Sequence, residues 1–362
     1  MEWPAKLIAW YHDNARSLPW RDHPKPYRVW ISEIMLQQTQ VDTVLPYFDR
    51  FLGRFPTVET LAVADQADVL KLWEGLGYYS RARNLHRAAG IVASELNGEL
   101  PTTFCGLRKL PGFGPYTAAA VASIAFGEAV PVVDGNVLRV YARLTGMHDD
   151  VNDTAVKKTV FEKLRPHIAP CDPSAFNQGM MELGALICRP RQPRCDQCPL
   201  CAECVAYRDK LTQTLPVKSP RVKRPHYDVA VGVVWKDRKI LVGQRPPNGM
   251  LGGLWEFPGG KVPTTTDASK FLCAKIKSET GIDVKVTGKC CTVKHAYTHF
   301  EITLTAYSCH FESGRLAKSV HDELRWLPLS RLNTLPFPKT TLTVIQAVKD
   351  LELVELVGTS LQ

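Results

Sequence analysis

The chain has 362 residues, enough for two or three domains, and 45% of them are hydrophobic, which supports ordinary globular cores. No apolar run approaches the ~18–20 residues of a membrane span, so no membrane association is expected. A formal net charge of +9 favours a polyanionic partner, and eleven cysteines without a secretory signal argue for a reducing compartment, a bacterial cytosol, over a disulfide scaffold.

Residues 1–208 read as helix after helix. Amphipathic runs fall at 4–15, 29–37, 40–53, 66–74, 80–96, 115–126, 136–145, 153–165 and 173–187, with Gly and Pro between them. Glu33 lies in WISEIMLQQTQ, with Trp30, Ile31, Ile34, Met35 and Leu36 around it. A carboxyl group in apolar company has its pKa raised, because desolvation disfavours the charged form, so it can donate a proton near neutrality. Gln37, Gln38 and Thr39 follow as a polar, amide-rich patch suited to base edges.

Leu110–Tyr116 reads LPGFGPY and runs into the apolar segment TAAAVASIAFG. Gly112 and Gly114 allow a tight turn between two helices, and the free N–H groups opening the second helix form an anion site suited to a DNA phosphate. Asp134, in AVPVVDGNVLRVYARL, is placed to cap the helix that follows. A capping carboxylate that accepts backbone N–H bonds is expected to keep a low pKa and remain an anion. One protonated carboxyl and one anion suit a general acid plus a stabiliser of a sugar cation, with Asn136 available to orient water or a sugar phosphate.

The stretch CRPRQPRCDQCPLCAEC, Cys188 to Cys204, holds five thiols and three interleaved arginines, Arg189, Arg191 and Arg194. Four thiolates suit a tetrahedral zinc or an iron–sulfur cluster. The recurrence of Cys195, Cys198, Cys201 and Cys204 at every third residue is closer to the ferredoxin run, and spacing alone leaves open which thiol is spare. Residues 209–225 are rich in proline and basic side chains and read as a semi-extended linker. Beyond it, YDVAVGVVW and KILVGQR alternate around a turn at 236–238, strands are expected at 284–293 and 299–311, and helices at 267–279 and 339–349.

SEIMLQQTQV, LPGFGPYTA, PVVDGNV and the spacing Cys188-x6-Cys195-x2-Cys198-x5-Cys204 together resemble the helix-hairpin-helix DNA glycosylases, and specifically the adenine DNA glycosylases of the MutY family. The resemblance spans essentially the whole chain. It implies a mainly α N-terminal domain, a six-helix module plus a 4Fe–4S module, over residues 1–208. An α+β Nudix-like C-terminal domain follows over 226–362, joined by the linker 209–225. It selects Cys188, Cys195, Cys198 and Cys204 as ligands of a mainly structural 4Fe–4S cluster and leaves Cys201 spare.

Carried across, Glu33 protonates adenine, Asp134 stabilises the sugar cation, and Trp20, Arg21 and Gln178 line the adenine pocket. Pro111, Gly112 and Gly114 form the phosphate hairpin. Gln38, Thr39, Leu76 and Tyr78 probe the opposite base. Tyr116 stands where the bifunctional endonuclease III-type relatives carry a Schiff-base lysine, so the implied activity is monofunctional. In the C-terminal domain LWEFPGGKV resembles the Nudix fold, but AKIKSETGI keeps only Glu279 of the acidic metal-binding helix. The lesion-probing loop is expected at Tyr297-Thr298-His299, where the family usually has Phe-Ser-His.

The implied function is a monomeric glycosylase that flips and excises adenine opposite 8-oxoguanine or guanine in double-stranded DNA. An endonuclease III-like pyrimidine glycosylase/lyase is opposed by Tyr116, and a Nudix hydrolase with a DNA-binding appendage is opposed by the missing carboxylates. A cluster-based redox sensor that binds DNA without catalysis predicts that Glu33 is dispensable.

Overall fold

The computed structural model describes residues 3–220, 223–317 and 319–359, with side chains as far as residue 352. Linker positions 221 and 222 and the last three residues of the expected second domain, 360–362, therefore lie outside the described residues. The chain divides into two compact units, residues 1–63 with 87–221 and residues 64–86 with 222–362.

The first unit is helical. Helix Val41–Arg54 buries Val44, Phe48 and Phe51, one stripe at spacings of four and three. Two helices are buried almost all round. Pro26–Leu36 encloses every residue from Val29 to Met35, and Pro115–Phe126 encloses Thr117–Ser123. The run of alanines in the latter lets the two helices pack closely, and Trp30 stacks on Phe113 of the adjoining turn, ring centroids 5.3 Å apart. A further core gathers helices Gly135–Thr145, Thr154–Ile168 and Pro173–Leu186, with Cys188, Cys198 and Cys204 packed against it.

Asn177, 1% exposed, ties this core to the segment before Asp134. Its Oδ1 accepts from Val132 N at 2.9 Å, and its Nδ2 donates to Val130 O at 2.9 Å and Ser123 Oγ at 2.8 Å. Residues 209–220, read from the sequence as a semi-extended linker, are held along the same unit. Leu215 is buried, its carbonyl accepts from Arg143 Nε at 2.9 Å, and Val217 O accepts from Val151 N at 3.2 Å.

The second unit is a seven-stranded sheet with a helix against each face. Its strands are β1 (His226–Lys236), β2 (Lys239–Gln244), β3 (Trp255–Glu256), β4 (Gly259–Lys261), β5 (Ile282–Ala296), β6 (Glu301–Gly314) and β7 (Glu323–Pro328). The order is β3-β2-β1-β6-β5, with β4 added to β1 and β7 to β2. The β1–β2 turn has positive φ at both corners, Asp237 (48°) and Arg238 (58°), as tight hairpins demand. β1 runs parallel to β6, and β5 and β6 form a long antiparallel ribbon.

Helix Ala268–Thr280 covers one face through Leu272 and Ile276. The other face is covered by Val344, Ile345 and Val348 of helix Lys339–Thr359. Residues 64–86, which the sequence reading grouped with the N-terminal domain, also belong to this unit. Glu74 Oε1 accepts from Phe337 N at 2.8 Å, Lys71 Nζ donates to Leu335 O at 3.0 Å, and Tyr79 OH donates to Phe337 O at 3.2 Å.

Asn177→Leu removes three bonds from a site closed to water and leaves Val132 N–H and Val130 C=O unpaired. We expect urea denaturation to show a loss of about 2–4 kcal/mol, against about 0.5 kcal/mol or less for a substitution at exposed Lys163.

Candidate active site

Glu33 lies in the last turns of helix Pro26–Leu36 and is 4% exposed. Trp30, Ile31, Ile34 and Met35 surround it in sequence, and the turn opening helix Pro115–Phe126 supplies its polar partner: Tyr116 OH donates to Oε2 at 2.7 Å. Burial pushes the carboxyl up to about 7; the phenol bond and the Arg21 charge pull the other way, and the charge of Asp134 adds to the rise.

Asp134 caps helix Gly135–Thr145, as the sequence implied. Oδ1 accepts from Val137 N at 2.7 Å and Oδ2 from Asn136 Nδ2 at 2.9 Å. The expectation of a low pKa is corrected. Burial lifts this carboxyl above its ordinary value despite the bonds from Val137 and Asn136 and the Arg139 charge, which all favour the anion. The cap was legible, but the enclosing protein was not.

Behind Asp134 the bonds continue. Asn136 Oδ1 accepts from Arg139 Nη2 at 2.8 Å, and Arg139 donates to Gly184 O at 2.8 Å and, through Nε, to Cys188 O at 2.7 Å. Helix Pro173–Leu186 approaches so closely that a Cβ on Gly184 would meet Asn136 Cβ at 2.6 Å.

Glu33, Asp134, Tyr116, Asn136, Trp20, Arg21 and Gln178 line one cavity of about 510 Å³, which Thr39 also borders. Trp20 is held edge-on against Phe48, centroids 5.1 Å apart. Arg21 Nε donates to Gln178 Oε1 at 3.0 Å.

The sequence reading missed Glu182, which is 1% exposed. It accepts from Arg16 Nε at 2.7 Å and Arg21 Nη2 at 2.9 Å. Burial would lift it, but these guanidinium bonds prevail and hold it at about 2. Its position one turn after Gln178, on the face that the family resemblance had already turned to the pocket, was the available signal. Among the cavity's carboxyls, burial thus raises Glu33 to about 7 and lifts Asp134 above its ordinary value, while Glu182 stays ionised.

In the hairpin Pro111 precedes Gly112, whose φ of 81° places the chain in the left-handed region. Gly114 caps the following helix without a side chain, with Pro115 in the first turn. The first-turn amides are therefore left without a side-chain cap.

The five thiols Cys188, Cys195, Cys198, Cys201 and Cys204 line a common cavity of about 30 Å³. Burial and the charges of Cys188, Cys204 and Cys195, against one backbone bond, push Cys198 up to about 12. Arg143, 2% exposed, secures the loop by donating to Arg189 O at 2.7 Å, Pro190 O at 3.2 Å and Cys188 Sγ at 3.4 Å. Arg191 and Arg194 are exposed. Among the described residues no three His, Cys, Asp or Glu side chains form a single-ion metal site.

Gln38 and Thr39 lie just past helix Pro26–Leu36, with Gln38 at a φ of 57°. The adjacent Gln37 is committed inward, donating to Thr117 Oγ1 at 2.7 Å. In the other unit Leu76 is buried and Tyr78 is 44% exposed. The trio Tyr297-Thr298-His299 is divided. Tyr297 turns into the core, tilted on Phe300 with centroids 4.9 Å apart, while Thr298 and His299 are exposed. Glu279 is bound to Lys275 Nζ at 2.9 Å and to Gly259 N at 3.1 Å.

Residues 31–166 match the HhH-GPD superfamily of base excision DNA repair proteins, and residues 230–347 match the NUDIX domain. Over 57% of its length the chain superposes on a thermostable thymine-DNA glycosylase, with 29% identity, a TM-score of 0.52 and 96% of that chain covered. It is 40% identical over 216 residues to the adenine DNA glycosylase of Buchnera aphidicola subsp. Schizaphis graminum, spanning 59% of this chain and 62% of that protein. With the Homo sapiens adenine DNA glycosylase it shares 34% identity over 91% of this chain and 70% of the relative. Both domains and this extended identity place the chain in the adenine DNA glycosylase family.

Proposed function

We propose that this glycosylase hydrolyses the N-glycosidic bond of adenine paired with 8-oxoguanine, or with guanine, in duplex DNA, and leaves the strand intact. The observation that carries the reading is the shared cavity of Glu33 and Asp134, with Glu33 held at about 7.

Adenine is a poor leaving group until a ring nitrogen is protonated. Glu33 supplies that proton. Tyr116 donates to Oε2, so the acidic hydrogen resides on the other oxygen, free to reach the base. The bond between the sugar C1′ and the base then breaks, its electron pair leaving with the protonated adenine. Asp134, held by Val137 N and Asn136, stabilises the oxocarbenium-like sugar. Water adds its oxygen to C1′, its released proton restores Glu33, and an abasic site remains.

Glu182 keeps Arg16 and Arg21 in place, and Trp20 supplies an aromatic wall for the extruded base. Tyr116 has no amine with which to form a Schiff base, which removes the lyase step that a lysine there would permit. A magnesium-dependent Nudix reaction does not fit the C-terminal domain, because Glu279 is already neutralised by Lys275.

Cys188, Cys195, Cys198 and Cys204, the four of the five thiols around this cavity that the family resemblance selects, fit a 4Fe–4S cluster, whose iron would offset the repulsion that their thiolates exert on one another. Such a cluster would supply covalent Fe–S anchorage for the loop 188–204. The chain's own contributions there are Arg143, which grips the loop, and the exposed Arg191 and Arg194, which offer charge to phosphate.

Glu33→Gln should lower single-turnover release of adenine by at least about 10³-fold, with affinity for the mispaired duplex kept within about threefold. Retained excision would remove Glu33 from the chemistry, whereas no excision by the native protein would revive the DNA-binding sensor.

Base release by the native protein should decline as pH rises through about 7, where Glu33 loses its proton. The stability sign follows separately. A folded-state pKa raised above the unfolded one gives stability that is full below the unfolded value and is lost as pH rises through about 7. Glu33→Gln should therefore raise stability at pH 8, by up to about 3 kcal/mol, and change it little at pH 4. Thermal melting at the two pH values reads the difference.

A further inference from the structure

We propose that Cys201 is a reserve iron ligand, which takes the place of Cys204 on a 4Fe–4S cluster when the Cys204 thiolate leaves. With Cys188, Cys195, Cys198 and Cys204 as the ligands of that cluster, the reading on which this one rests, the fifth thiol of the loop has no role.

Cys201 borders the same cavity of about 30 Å³ as the other four thiols. The backbone puts it there. Residues 195–204 form two short 3₁₀ turns of the same build, Cys195–Gln197 and Cys201–Glu203, each opened by one cysteine and closed by the next. Cys198 N donates to Cys195 O at 3.2 Å, and Cys204 N donates to Cys201 O at 3.3 Å. Side chains three residues apart on such a turn lie over one another, so Cys201 stands on the side that Cys204 occupies. Between the turns, Cys201 N donates to Cys198 O at 3.2 Å. Cys195, Cys198 and Cys201 thus follow one another at the spacing with which ferredoxins hold a single cluster. With Cys188 they make a second complete set of four thiols.

The second turn does not depend on the Cys204 sulfur for its place. Leu200, just before it, is buried in the core that helix Gly135–Thr145 helps to build. Glu203 within it is paired with Lys6 of helix Trp3–Asn14. Just after it, Val205 packs on the end of helix Gly135–Thr145, where a Cβ on Gly146 would meet Val205 Cγ1 at 2.6 Å. The turn is therefore fixed before, within and after, and the exchange needs a rotation of the Cys201 side chain, not a refolded loop. In it the Fe–S bond to Cys204 breaks, Cys201 passes its proton to the departing thiolate, and the Cys201 sulfur forms the new Fe–S bond. No electron is transferred, and the number of thiolate ligands is unchanged.

The test uses the full-length holoprotein and two measurements of the metal. In the first, loss of iron to a chelator is timed for the native protein and for Cys201→Ala. Cys201 recaptures an iron that Cys204 has released only in the native chain, so Cys201→Ala should lose iron about 3- to 10-fold faster from the same starting content. Equal rates overturn the reserve role. In the second, iron and sulfide per chain and protection of thiols from iodoacetamide are compared in Cys204→Ala and in Cys201→Ala/Cys204→Ala. Cys204→Ala should keep about four irons per chain, and the double variant should keep less than about one tenth of that. Mass mapping should find Cys201 alkylated in the native protein and protected in Cys204→Ala.

As little iron in Cys204→Ala as in the double variant, or a Cys201 still alkylated there, overturns the reserve role and leaves the four-ligand reading standing. A native protein that carries no iron and sulfide overturns the four-ligand reading as well.

Discussion

Removal of one carboxyl from water is the constraint around which the first unit is arranged. Glu33 stands on a helix buried almost all round, and its polar partner is a phenol, not a cation. Glu182, in the same cavity and likewise closed to solvent, receives two guanidinium groups. The difference in partners separates two chemically identical side chains, holding one at about 7 and the other at about 2. A cation beside Glu33 equal to those beside Glu182 would leave the cavity without an acid at neutral pH.

The second carboxyl owes its position to backbone. Asp134 caps a helix, Asn177 fixes the strand-like segment before it, and Asn136 and Arg139 extend its hydrogen bonds to the carbonyl of Cys188. The cysteine loop and the carboxylate are therefore joined by a continuous run of short polar contacts. Arg143 performs the parallel task one turn later, joining the loop to Leu215 in the segment that leads out of the unit.

Much of this was legible from residue order. The apolar company of Glu33 announced its burial, because the run from Val29 to Met35 leaves a helix no solvent face. The Asp-Gly-Asn sequence announced a cap, and the hairpin at Asp237-Arg238 followed from strand alternation. What remained hidden was non-local. The rise in the Asp134 pKa depends on protein folded around it, and Glu182 becomes meaningful only when Arg16 and Arg21 arrive from more than 160 residues away. The short β3 and β4 carry too few residues to show a period, and β7 is half-buried along most of its length, so no alternation marks it. Residues 64–86 read as another amphipathic stretch; their bonds to Leu335 and Phe337 cannot be inferred from local pattern.

The ion pair of Lys275 with Glu279 gives the C-terminal domain a different character from an enzyme of the same architecture. An ammonium tethered by four methylenes neutralises the surviving carboxylate permanently, whereas a bound divalent ion exchanges with the medium. Charge balance at that point on helix Ala268–Thr280 is thus written into the polypeptide itself.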